Sequence, residues 1–258
     1  DLSYDKLVFA TGSRVRRLDF PGNNLESIHY LRGLNEAESI KEDLKISKDL
    51  VVIGAGYIGL EVAAIAAKNN ISVTVVEMAD RVMNRTVDPQ ISEYYLKLHE
   101  NNGVQFKFNT SLEEIKGSSK PESVICSDGS EIKADTVIIG AGIIPNTEVA
   151  EEAGIDCDNG IAVDEFGLTS HEGIYACGDC TNHPNKLLGK NLRLESVHNA
   201  MEQAKTVAGS INGNPSEYNQ IPWFWSDQYD HKLQIVGLSG NHDRVTMRGD
   251  TEDTKFML

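Results

Sequence analysis

No apolar run in this 258-residue chain reaches the roughly twenty residues that a membrane-spanning helix needs, so a membrane is not an expected partner. Basic charge is scarce too: 24 Lys and Arg stand against 39 Asp and Glu, a net charge of −15. A chain so acidic repels phosphate backbones and anionic headgroups, which excludes nucleic acid as a main partner. The cysteines, Cys126, Cys157, Cys177 and Cys180, give no disulfide framework and fit a reducing, cytoplasmic setting. Cys177 and Cys180 form a C-x-x-C, but no second pair exists to complete a zinc site. Gly178-Asp179 between them have another use, so the two read as incidental thiols rather than a redox pair. The seven histidines show no metal spacing, and His198 with Glu202, four residues on, reads as a solvated helix pair. No Ser/His/Asp or Cys/His nucleophile set has supporting context, and repeats and low-complexity segments are lacking.

What is present centres on residues 50–77, "LVVIGAGYIGLEVAAIAAKNNISVTVVE". Leu50 to Ile53 form an unbroken apolar run, the mark of a parallel strand buried on both faces. Gly54, Gly56 and Gly59 follow in the spacing G-x-G-x-x-G. The first allows a tight turn, the second lets backbone approach a pyrophosphate, and the third lets a helix pack closely on the strand. Tyr57 and Ile58 open that Ala-rich helix, predicted over 57–69, whose amino end offers free N–H groups and a positive dipole to phosphate. A second β-branched run, 71–76, ends at Glu77, at the interval expected for the acid that binds the adenosine ribose hydroxyls. A carboxylate there accepts from a 2′-hydroxyl and repels a 2′-phosphate, so NAD(H) is favoured over NADP(H), although Arg81 and Arg85 close by could tolerate a phosphate. A lone glycine pattern is weak. Strand, glycines, helix, second strand and acid together argue for a dinucleotide site.

The rest of the chain frames this unit. A strand is predicted over 4–10 and a helix over 34–44, with Leu34, Ala37, Ile40 and Leu44 on one face. A helix over 90–101 shows Ile91, Tyr94, Tyr95 and Leu98 on one side, and a short strand follows at 104–108. Residues 112–115 and 123–126 read as antiparallel strands with a hairpin at Asp128-Gly129, and 135–139 as a returning buried strand. That strand ends in Gly140-Ala141-Gly142, where backbone must pass close to something. Residues 15–145 thus make a complete small doubly wound α/β domain. Beyond Pro145 come a pair of short strands in 154–163, a strand at 173–177 ending in Gly178-Asp179, and a helix over 196–211 with Val197, Ala200, Ala204, Val207 and Ala208 as its apolar face. Strands at 233–238 and 244–248, with a turn at Gly240-Asn241, close the chain.

The pieces "YDKLVFATGSRVR", "VVIGAGYIGLEVAA", "GAGIIPNTEVA", "NGIAVDE…TS…GIYACGDC", "LRLESVHNAMEQA" and "PWFWSDQYDHKLQIVGL" stand in the order of a known family. The chain resembles a FAD-dependent ferredoxin reductase of the putidaredoxin-reductase type, within the pyridine nucleotide-disulfide oxidoreductase superfamily. The resemblance implies a doubly wound NAD-binding domain (15–145) inserted in a partial FAD-binding domain (1–14 and 146–212), with the start of an α+β C-terminal domain (213–258). The family's own flavin strand, Gly-rich turn and helix would precede Asp1, and its last domain would run past Leu258, so a longer parent chain is expected. The resemblance places Thr11, Gly12 and Arg14 near the flavin and makes Asp179 the acceptor of a ribityl hydroxyl. Glu195, Ser196 and Val197 would open a helix aimed at the flavin pyrimidine ring. Trp225 would lie close to the flavin, and Glu61 where nicotinamide stacks on it, able to bond the carboxamide. The implied reaction carries electrons from NADH through FAD to a small iron–sulfur protein, with Lys186, Lys190 and Lys205 as a local basic docking face. An NADH oxidase, a disulfide reductase, or a fragment that only binds NAD(H) are the alternatives.

Overall fold

The computed structural model describes residues 3–240, 242–251 and 255–258. Two compact units divide the chain: Asp1–Arg14, Ile143–Trp225 and Gln234–Leu238 make one, and Val15–Gly142, Ser226–Leu233 and Ser239–Leu258 the other.

The larger unit is built on a five-stranded parallel sheet in the order Ile28–His29, Thr136–Ile139, Asp49–Ile53, Ser72–Val76, Gln105–Lys107. Strand Asp49–Ile53 buries four consecutive residues, as its apolar run demands. The chain moves from it outward on one side, through Ser72–Val76 to Gln105–Lys107, and later returns on the other side as Thr136–Ile139. That reversal makes the carboxyl end of Asp49–Ile53 a switch point, where open α/β sheets bind ligands. Helix Tyr57–Lys68 packs on Asp49–Ile53 and Ser72–Val76 through Leu60, Val62, Ala63, Ala64 and Ala66.

The reading of this unit needs correction at several places. The hairpin at Asp128-Gly129 joins Pro121–Cys126 to a third strand, Glu131–Lys133, in an antiparallel sheet with Leu112–Gly117. The strand Ile28–His29, too short to carry a pattern, went unread. Helix Pro89–Asn101 buries Ser92, Tyr95 and His99 rather than Ile91, Tyr94 and Leu98, because Ser92 and His99 have hydrogen-bond partners inside the fold. The strand expected at 244–248 is also absent: Arg248–Asp250 pairs instead with Lys255–Met257, and Asn241 of the expected turn lies outside the described residues.

In the smaller unit, Leu7–Phe9 pairs in parallel with Ile174–Ala176, and Thr181–Asn185 lies between Ile161–Ala162 and Lys190–Leu192. Helix Val197–Ile211 is capped by Ser196, whose hydroxyl accepts from the Asn199 N–H at 3.1 Å. Its expected apolar face holds at Val207, which is buried, but Ala204 and Ala208 are exposed, while Asn199, Gln203 and Thr206 are buried. The buried polar groups are satisfied: Asn199 donates to the Leu194 carbonyl and accepts from Tyr218, and Gln203 accepts from Gly178 and Thr181.

His183 is an exception. It is 2 % exposed, neither ring nitrogen has a partner, and it lines a small cavity with Tyr218, Gln203 and Thr206. Burial drives its pKa down to about 4 from 6.5. The unfolded chain therefore binds the proton first as pH falls, so stability is whole above pH 6.5 and is lost progressively toward pH 4. Stability against urea should fall by about 1.5 kcal/mol between pH 6.5 and pH 5, the slope approaching about 1.4 kcal/mol per unit. His183→Phe should flatten that slope.

Candidate functional site

The fingerprint turn is set by what its glycines touch. Gly54 has φ +99°, and a Cβ there would lie 2.5 Å from the Gly140 carbonyl oxygen. A Cβ on Gly59 would lie 2.2 Å from the Gly54 carbonyl oxygen. Both positions demand glycine because backbone passes where a side chain would stand. Gly140 is tied to the strand end by its N–H bond to the Ile53 carbonyl at 2.7 Å, so the last strand and the fingerprint strand converge here. Gly56 is different: a Cβ there would meet nothing within 4 Å. Open space lies in front of it, at the start of helix Tyr57–Lys68, where the free N–H groups point. Gly142, at φ +89°, also faces open space. This is a cradle of the shape that a pyrophosphate fills, and the residues present fit an NAD(H) diphosphate.

Glu77 holds the turn together. One carboxylate oxygen accepts from the Ala55 N–H at 2.6 Å and the other from the Ala79 N–H at 2.8 Å. The acid that would meet a ribose hydroxyl is thus already clamped at the strand end, and its position is fixed. Arg81 is occupied with the carbonyls of Asn84 and Val87, while Arg85 is exposed. Of the two arginines, Arg85 alone keeps an outward guanidinium. Tyr57 is half-buried, with its phenol pKa raised by burial, and Ile58 is 45 % exposed at the mouth of the turn.

Glu61 lies beyond the first turn of its helix, which carries no acid, so dipole preference does not account for it. Its carboxylate accepts from the Ser226 hydroxyl at 2.6 Å. Burial raises its pKa, and the Ser226 bond and a bond from the Asp227 backbone oppose that rise.

The second cluster belongs to the smaller unit. Asp179 accepts from the Ser13 hydroxyl at 2.9 Å, just after Gly178 turns the chain at φ +86°. Gln203 fixes this turn, accepting from the Gly178 N–H at 2.7 Å and from Thr181 Oγ1 at 2.8 Å. Thr11 and Asn146 bridge each other's backbone: Thr11 donates to the Asn146 carbonyl and the Asn146 amide to the Thr11 carbonyl. Gly12, at φ +61°, bends the chain between Thr11 and Ser13. Arg14, placed near the flavin by the resemblance, is engaged with Asn146 and Glu148 and remains half-exposed. Glu195 pairs with Arg193. Ser196 caps the helix, Val197 opens it at 58 % exposed, and Trp223 and Trp225 are each 37 % exposed with ring centroids 5.0 Å apart. An exposed valine at a free helix start and two outward indoles are surfaces that suit a flat aromatic ligand.

Other expectations change. His198 does not pair with Glu202: its ring meets Trp223 edge-on at 5.9 Å, and Glu202 takes Lys205. Lys186 is likewise neutralised by Glu217, which leaves the proposed basic face with Lys190 as its outward charge. Cys177 and Cys180 are buried and unbridged, and burial raises the Cys177 thiol pKa, the reverse of a reactive thiolate. Among the described residues no cluster could hold a metal ion, and no helix is long and apolar enough to cross a membrane. Ser13, Asn146 and Gln203 were missed, whereas the close backbone approach expected at Gly140 is the one that Gly54 makes. Gln203 shares the helical spacing of Asn199 and Thr206, but a polar stripe at that spacing reads as a solvated face.

Residues 1–204 match the family model described as pyridine nucleotide-disulphide oxidoreductase. The chain belongs to this family. Residues 223–258 match a second model, described as reductase C-terminal. Rhodocoxin reductase of Rhodococcus erythropolis is 42% identical over 258 residues, all of this chain and 60% of that protein. Putidaredoxin reductase CamA of Pseudomonas putida is 42% identical over 263 residues, covering 100% of this chain and 62% of that one. The crystal structure of the ferredoxin reductase for the CYP199A2 system from Rhodopseudomonas palustris superposes with a TM-score of 0.97 at 43% identity, over 99% of this chain and 63% of that one. This family member therefore spans about three-fifths of the length of these relatives.

Proposed function

We propose that the chain is the NAD-binding part, with the later flavin-binding pieces, of an NADH-dependent ferredoxin reductase that passes electrons through FAD to a small iron–sulfur protein. The observation that carries this reading is the cradle at Gly54–Gly56–Gly59, closed by Gly140 and clamped by Glu77. Relatives named for ferredoxin-type and rubredoxin partners support the electron acceptor. In this reading residues 15–145 bind NADH, 1–14 and 146–212 belong to the flavin domain, and 213–258 begin the C-terminal domain. Free cysteines suit a cytoplasmic site of action.

Bound FAD would accept hydride from NADH and release electrons one at a time. The chain's own groups bind and orient. The backbone N–H groups at the start of helix Tyr57–Lys68 take the NADH diphosphate, and Glu77 takes the adenosine ribose. Arg85 and Gly142 border the same nucleotide. Glu61 receives the carboxamide N–H of nicotinamide. Asp179 accepts from the flavin ribityl chain, with Thr11, Gly12 and Arg14 beside it. The start of helix Val197–Ile211, with Glu195 and Ser196, favours negative charge on the adjoining ring, and Trp225 covers it. A disulfide reductase is a poorer fit, because Cys177 and Cys180 are buried and their turn is used by Asp179 and Gln203.

The test is an absorption spectrum from 300 to 600 nm after incubation with FAD, repeated on adding NADH without air. Flavin bands that bleach support the reductase reading. A colourless protein whose NADH fluorescence still changes on binding would reduce the chain to a nucleotide-binding module.

A further inference from the structure

Within the larger unit, four hydrogen bonds run head to tail and end on Glu61. The Tyr229 hydroxyl meets His99 Nδ1 at 3.2 Å, and His99 Nε2 meets Gln228 Oε1 at 2.9 Å. Gln228 Nε2 then donates to Ser226 Oγ at 3.1 Å, and Ser226 Oγ donates to Glu61 Oε1 at 2.6 Å. Their direction follows from which atoms can donate. An ionised carboxylate only accepts, so the single Ser226 proton goes to Glu61. An amide nitrogen only donates, so Ser226 accepts from Gln228. The amide oxygen only accepts, so His99 carries its proton on Nε2, and neutral Nδ1 takes the Tyr229 proton. Every donor in the series therefore points toward Glu61.

The interior of this series is dry. His99, Ser226 and Gln228 are each 0 % exposed. Burial also holds the His99 ring below its ordinary pKa, which keeps it neutral and able to accept at Nδ1. If Glu61 took up a proton and donated it to Ser226, the Ser226 proton would have no acceptor and no water, a penalty of roughly the size of an unmet buried hydrogen bond. The opposing influences are the burial of Glu61 and the charge of exposed Asp227 on the neighbouring strand, both of which favour the protonated acid.

We propose that Ser226, Gln228 and His99 are positioning residues which keep the Glu61 carboxylate ionised and aimed, so that it stands ready to accept from an amide N–H of its ligand. The Tyr229 hydroxyl, donating to His99 Nδ1, supports the tautomer that Gln228 requires, at the outer end of the series. The dry core of the series joins the strand Trp223–Gln228 to two helices, Tyr57–Lys68 and Pro89–Asn101. It explains why Pro89–Asn101 buries a histidine on the face where a leucine was expected. The identity of the ligand as nicotinamide rests on the functional reading above; the orientation of Glu61 does not.

The experiment is a carbon-13 carboxylate titration of the protein labelled in glutamate, with the Glu61 signal assigned by Glu61→Gln. Ser226→Ala and Gln228→Met should each raise the Glu61 midpoint by about one pH unit, a tenfold gain in proton affinity. Tyr229→Phe, at the partly exposed end, should raise it about twofold in affinity. An unmoved midpoint in Gln228→Met and Tyr229→Phe proteins that melt like the parent would overturn the proposal. Should Gln228→Met fail to fold, the single-oxygen deletions Ser226→Ala and Tyr229→Phe decide the matter in the same way. NADH titrations of these proteins at pH 6 and pH 8 separate the two layers. A shifted Glu61 midpoint with NADH affinity weakened in step supports both. A shifted midpoint with NADH affinity unchanged keeps the positioning role and removes nicotinamide as the ligand.

Discussion

Gly54→Ala should abolish measurable NADH binding and lower stability by about 3 to 5 kcal/mol, while Gly56→Ala, two residues on, should leave the fold nearly untouched and still cost most of the binding. The two glycines differ in what surrounds them. Gly54 sits at φ +99°, outside any region an alanine adopts without strain, and its Cβ would press to 2.5 Å against the Gly140 carbonyl. The strand end and the last strand would have to part, and the whole turn with them. Gly56 has an ordinary φ of −78°, and a Cβ there meets no protein atom. Its methyl group would stand in the space reserved for the diphosphate. A change of less than about 1 kcal/mol in stability is expected, with at least a tenfold loss in NADH affinity. Urea unfolding and NADH fluorescence titration of both variants give the four numbers. A Gly56→Ala protein that binds NADH normally would mean that the diphosphate does not lie over this turn.

Gln203→Leu should destabilise the smaller unit by about 1 to 3 kcal/mol. Leucine fills a similar volume but accepts nothing. The Gly178 N–H would then be a buried donor without a partner, at about 1 to 3 kcal/mol, while the Thr181 hydroxyl would keep the Gly178 carbonyl as its acceptor. The turn that they stabilise carries Asp179, so FAD uptake should fail in the same variant. The neighbouring Lys205→Ala, which removes an exposed i,i+3 ion pair with Glu202, should change stability by less than about 0.5 kcal/mol. Equal urea midpoints for Gln203→Leu and the parent would refute this account of the turn.

These cases show why parts of the protein could be read from its sequence and others could not. The sheet strands Asp49–Ile53 and Ser72–Val76 were legible because parallel strands buried on both faces must be apolar throughout. The fingerprint glycines were legible because close backbone approaches admit no other residue. Helix Val197–Ile211 was found, but of its buried face only Val207 was. Hydrophobic periodicity assumes that what is buried is apolar, and here the interior face is Asn199, Gln203 and Thr206, each with a hydrogen-bond partner or a neighbour in the core. The same assumption hid His99 and Ser92 in helix Pro89–Asn101. Ser226 and Gln228 were beyond reach for another reason. Their partners Glu61 and His99 lie more than a hundred residues away in sequence, and no spacing rule links them.

The pairing of Leu7–Phe9 with Ile174–Ala176 has a consequence for how the chain assembles. The two strands are separated by more than 160 residues of chain, and a contact at such range is slow to find. Yet the inserted stretch begins and ends at nearly the same point: the Arg16 N–H is bonded to the Gly142 carbonyl at 2.9 Å. Once residues 15–142 have folded, that bond short-circuits the long excursion, and the loop left to close shrinks about fourfold. The saving in chain entropy is about 1 kcal/mol, and the gain falls on the search rather than on the finished structure. Synthesis from the amino terminus supplies the same order of events. The inserted unit's sheet emerges whole while residues 174–176 are still to be made, so the waiting strand at 7–9 meets its partner as a near neighbour.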